Sequence, residues 1–145
     1  MLNGLDLEYI EAAIAAASDT DNDSDIIDMA GYDGVMFIVP IVDSVATGVA
    51  TLTAEGDELN ATGGMVALTG AQAAVTCAVN DDQNGKYLVV DVFKPIYRFM
   101  RANIKSETAN MAFGAITAIK YNSHSKPVTH TDIAASAYVA SPAQA

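Results

Sequence analysis

The chain has 145 residues and a formal net charge of -11, from 18 Asp and Glu against 7 Lys and Arg. One domain of ordinary size can bury a real core. The acidity excludes a surface built for nucleic-acid phosphates, which needs clustered Lys and Arg, and it disfavours an anionic membrane. No apolar run approaches the about 20 residues that cross a bilayer. The N-terminus lacks the basic region of a secretory signal, so none is expected. The apolar share is 51%, but much of it is Ala and Val, so the expected core is thin or shared with a partner.

In chain order, Leu5 to Ala17 reads as one short helix. Its residues are mostly strong helix formers, and Leu7, Ile10 and Ile14 fall on one helical face. Asp6, Glu8 and Glu11 sit near the end where the helix dipole favours negative charge, and Asn3 is a candidate cap. Asp19, Asp21, Asp23 and Asp25 then alternate as in a calcium loop. Ser24 and Ala30 occupy the positions where an EF-hand needs Gly and Glu, so that pattern fails and a solvated acidic linker is expected.

From Asp25 onward the texture is that of strands: Ile26–Met29, Val35–Val42, Val49–Glu55, Val66–Leu68, Ala74–Val79, Tyr87–Phe93, Tyr97–Ser106 and Phe113–Tyr121. Gly- and Asn-rich turns separate them. About eight short strands at this spacing predict a mainly β chain, an antiparallel β-sandwich or jelly-roll-like barrel. The expected organisation is residues 1–24 as helix and acidic linker, 25–122 as the β-rich domain, and 123–145 as an extended tail. Val35 to Val39 is apolar at every position, which predicts a strand that is central or interfacial. The lone Cys77 lies in an apolar run and reads as a buried, inert thiol.

No catalytic signature, phosphate-binding loop or dinucleotide fingerprint is present, and no enzyme activity, cofactor or metal is expected. His124 and His130 lie in the tail without nearby Cys or carboxylate, a weak pattern for zinc. Charge is divided along the chain. Residues 1–85 hold fifteen acidic and no basic side chains, and residues 86–145 hold seven basic and three acidic ones. Lys94, Pro95, Tyr97, Arg98 and Arg101 form the densest constellation, with Pro95 fixing a bend and Arg98 and Arg101 on opposite faces of the next strand. Arg suits paired contacts with carboxylates. Those carboxylates belong either to a neighbouring surface or to the acidic first half of the same fold. In the alternation of residues 99–105, Met100, Ala102 and Ile104 face the core and Arg101, Asn103 and Lys105 face out.

Three segments, Ile27–Phe37, Val90–Arg101 and Ala118–His130, resemble in order and spacing a family of small virion structural proteins of tailed bacteriophages, the capsid decoration or head-stabilising type. The resemblance spans roughly residues 25–142, and its most telling piece is Lys126-Pro127-Val128-Thr129-His130. The acidic first 85 residues depart from the family. The resemblance implies a protein made in the host cytoplasm that joins the virion. There it would form a homotrimer on the outer face of the head and brace the shell of major capsid protein. Its expected subunit or capsid contacts are Lys94, Pro95, Tyr97, Arg98, Arg101, Lys126, Pro127 and His130. A β-sandwich module that binds a ligand or the host surface is the alternative; the missing Trp weighs against sugar stacking.

Overall fold

A computed structural model describes residues 2–137. It holds eleven strands: β1 (Asp6–Glu11), β2 (Ile14–Ala17), β3 (Thr20–Asp23), β4 (Ile27–Asp28), β5 (Gly34–Ser44), β6 (Val49–Asp57), β7 (Val66–Thr76), β8 (Tyr87–Phe93), β9 (Phe99–Glu107), β10 (Met111–Phe113) and β11 (Ile116–Tyr121). The mainly β expectation holds, and two antiparallel sheets form the sandwich. The expectation of about eight strands falls short.

The first sheet runs β1-β11-β5-β10-β2, with β8 on β5; the second runs β3-β9-β6-β7, with β4 on β9. Several short strands are halves of one line. β10 and β11 both pair with β5, over Ile41–Ser44 and Gly34–Ile38 respectively. The predicted single run breaks at Gly114, where a side chain would collide with the Pro40 ring. β1 and β2 follow the same line along β11 and β10.

The N-terminal helix is not formed. Helix propensity is a weak prior, and an isolated helix of this length is marginal. As a strand, the segment sends Ile10 into the core and brings Asp6 and Glu8 to Lys120 on β11. The expected acidic linker is likewise ordered: Thr20–Asp23 pairs with Asn103–Ser106 of β9. The two predicted runs at Val66–Leu68 and Ala74–Val79 lie largely on one strand, β7, bent by an irregularity opposite Thr53–Glu55.

The core lies between the sheets. Val35, Phe37, Val39 and Ile41 of β5 and Leu88 and Val90 of β8 meet Ala50, Leu52 and Ala54 of β6 and Met100, Ala102 and Ile104 of β9. The predicted inward face of β9 is therefore the observed one. Cys77 is buried and free of any disulfide. Three Ala, Ala50, Ala54 and Ala102, stand among the central contacts. Residues 123–137 add no strand; the expected tail beyond residue 137, with Pro142, lies outside the described residues.

Candidate interaction surfaces

The candidate basic side chains divide sharply. Arg101 points out of the second sheet, yet is only 8% exposed. Its Nε donates to Glu55 Oε2 at 2.5 Å, and its Nη1 lies 3.1 Å from Asp23 Oδ2. Glu55 is its register partner on β6. Next along the strand, Asn103 donates to Asp21 and Asp23, and Lys105 Nζ lies 3.2 Å from Asp21 Oδ2. The Asn103 amide and then Lys105 and Arg101 hold the Asp21 carboxyl below its ordinary range, against a smaller opposing effect of burial. The alternating Asp run thus meets cationic and amide groups of β9. Among the described residues there is no cluster of three or more potential metal ligands.

Arg98 makes a two-pronged contact with Asp28, at 2.9 Å from Nε and 2.8 Å from Nη2. The hydrogen bond from Arg98 is the main reason the Asp28 carboxyl is held below its ordinary range. A third group was not foreseen. Lys120, on the inner side of β11, is almost fully buried with Asp6 and Glu8. Its ammonium also sits 4.7 Å from the Tyr32 ring centroid. Burial alone would lower the Lys120 pKa, but Glu8 and Asp6 outweigh it and raise the pKa. Burial likewise opposes ionisation of Asp6, and hydrogen bonds from the Thr131 hydroxyl and backbone, with Lys120, outweigh it and lower its pKa. Of the two readings of the charge division, these pairs realise the one within the fold.

The Asp6 contact also fastens the tail. Thr131 N–H and Oγ1 donate to Asp6 at 2.8 and 2.6 Å, and the Tyr9 N–H donates to Asp132 at 2.8 Å. His124 Nε2 lies 2.7 Å from Asp33 Oδ1. Lys126 and Pro127 are exposed, whereas His130 is partly buried, with Nδ1 lacking a partner among the described residues.

Lys94, Pro95 and Tyr97 belong to the loop that crosses from β8 to β9. It shares one end of the sandwich with the Met29–Asp33 turn and the segment after β6. Pro95 fixes the bend, and the Lys94 N–H donates to the Asp33 carbonyl at 2.6 Å. Tyr97 folds inward against Gly56, while Ile96 projects at 81% exposure and Phe93 is also exposed. The Lys94 ammonium lies 5.5 Å from the Phe93 ring centroid. Met29, Glu58, Ile96, Arg98 and His124 frame an open groove there. Ile96 was missed as a candidate; an isoleucine straight after the loop proline, with no alternating partner, was the available signal.

The outer face of the first sheet is the other notable surface. On β5 it presents Met36, Ile38, Pro40 and Val42, and on β8 Tyr87, Val89, Asp91 and Phe93. Pairing aligns them with Ile119 and Thr117 of β11 and with Leu7 and Tyr9 of β1. Among these outward side chains Asp91 alone is charged, and its Oδ1 accepts the Tyr121 hydroxyl at 2.6 Å. Burial first, and then Asp91, push the Tyr121 pKa up to about 12. Tyr121 can lie across the sheet because Gly34 has no side chain to obstruct it.

No protein-family model and no curated protein matches the chain. Among solved structures it is similar to the PBSX exported protein XepA, with a TM-score of 0.53 and 16% identity over 93% of this chain and 43% of that one. The chain thus spans less than half the length of that protein. Two weaker likenesses are to PirA (TM-score 0.41, 11% identity, 81% of this chain and 93% of that one) and to Bacillus endospore appendages that form disulfide-linked pili (TM-score 0.40, 16% identity, 82% and 88%). What the chain shares with XepA, at this identity, is a fold.

Proposed function

We propose that the protein is a structural component of a phage virion that binds the outer surface of the head, through its major capsid protein, and stabilises the shell without catalysis. The observation that carries this reading is the loop end, where Phe93, with the Lys94 ammonium over its ring, and Ile96 stand exposed on either side of a bend fixed by Pro95. An apolar anchor ringed by polar groups is the kind of feature that concentrates binding energy at protein contacts. The loop links β8 of the first sheet to β9 of the second and is tied at its start by the Lys94 N–H bond to the Asp33 carbonyl. The three segments that resemble decoration proteins support the same reading, as does the fold shared with a protein described as a PBSX exported protein. The polar clusters support a non-catalytic role, since Arg101, Lys120, Asp6 and Asp21 are committed to holding strands together.

Sedimentation with empty capsids tests this. The wild-type protein should pellet with the shell, and Lys94→Glu with Ile96→Asp should stay in the supernatant while keeping its thermal midpoint. Equal retention of both, or of neither, would sink the proposal.

A further inference from the structure

We infer that the apolar outer face of the first sheet is the surface through which copies of this chain contact one another, which deepens the structural reading above and rests on it for its setting in a shell. The first reason is charge. Each copy carries -11, so most approaches between two copies bring like charges together and are repelled. Between Gly34 and Val42 this face is the exception: of the outward side chains on β5, β8, β11 and β1 there, one is charged, Asp91, and Tyr121 hydrogen-bonds it.

The second reason is area. Strands lie about 4.8 Å apart and rise about 3.3 Å per residue. β5 covers Gly34–Val42, β8 flanks it over Gly34–Pro40, and β11 with β1 over Gly34–Ile38, so these lines span roughly 400 Å². Two such faces would cover about 800 Å², the size of a weak, concentration-dependent contact. A patch of this size is as large as the largest on a typical monomer, and such patches are often functional.

The third reason is composition and layout. Tyr9 at 56% and Tyr87 at 64% exposure stand at opposite margins, on β1 and β8. Between them lie Ile38 and Val89, which are register partners. Tyrosines around an aliphatic centre are the usual make-up of a contact core.

Light scattering and sedimentation equilibrium across a dilution series test the inference on the full chain. The wild type should show a mass of more than one chain, falling on dilution. Val89→Glu and Tyr9→Glu, at separate exposed positions on this face, should each weaken association by about tenfold or more, with unchanged circular dichroism. Thr53→Glu, on the outer face of the second sheet, should leave association as it was. A wild type that is monomeric throughout, or three variants that behave alike, would overturn the inference. A monomer that still pellets with capsids through Ile96 overturns this contact and leaves capsid binding standing; an oligomer that ignores capsids does the reverse.

Discussion

The two outer faces of this sandwich are built from strands of similar length, yet they solve opposite problems. On the second sheet every outward position of β9 from Arg101 to Lys105 is polar, and each finds its counter-group on β6 or β3. On the first sheet the outward positions of β5 from Met36 to Val42 are Met36, Ile38, Pro40 and Val42, which have no polar requirement. The first arrangement is saturated from within and has little to offer a partner. The second is unsaturated, because its apolar area gains free energy only when something covers it. Charge density and readiness to bind therefore lie on different sides of the molecule.

The sharpest way to break the polar face is at Arg101. Arg101→Ala leaves the partly buried Glu55 without its cation, a loss below the ~3–5 kcal/mol of breaking a fully buried pair. Denaturant unfolding should show that loss, with the oligomeric state unchanged where the chain remains folded. A smaller effect is expected at the tail anchor. Thr131→Val removes the hydroxyl that donates to Asp6, and hydrogen bonds to charged groups are worth about 1.5–3 kcal/mol. Faster amide exchange at residues 128–132 would report the release.

Acid should act on the same groups. The Asp6, Asp21 and Asp28 carboxyls are all lowered in the fold. Their contribution is present above the unfolded carboxylate value of about 3.9 and is lost as pH falls through the lower folded values. Lys120 runs the other way: its raised pKa gives stability that is complete below about 10.4 and lost as pH rises through the folded value. Thermal midpoints should thus be level at neutral pH and fall at both extremes, and the Lys120→Met variant should lose the alkaline fall attributable to this group. The smallest effect belongs to Arg98→Ala. Its pair with Asp28 is exposed on both sides, so the thermal midpoint should stay within error of wild type.

The strands from Ile26 onward were legible because alternation and turn residues are local signals. The inward set of Met100, Ala102 and Ile104 could be read directly from the period of two. The segment Asp6–Ala17 was not, because its Ala, Glu and Leu content favours a helix locally. Its strand form depends on Lys120, more than a hundred residues away in sequence. The same distance hid the ion pairs. Arg98 and Arg101 were visible as contact-forming side chains, but Asp28 and Glu55 lie 70 and 46 residues from them, and only the sheet register brings them together. The apolar Val35–Val39 run was legible as central or interfacial, and β5 is central, flanked by β11 and β8 with alternate residues on the core.

The central claim is that copies meet through apolar area and that the charge division serves the fold. Sedimentation equilibrium at about 0.05 M and about 1 M salt tests it most directly, since the screening length falls to about 3 Å at the higher value. The account predicts association that is equal or tighter at high salt, as the mutual repulsion of acidic copies is screened. Association that weakens with salt would contradict it, and would place the Arg and Asp pairs between copies.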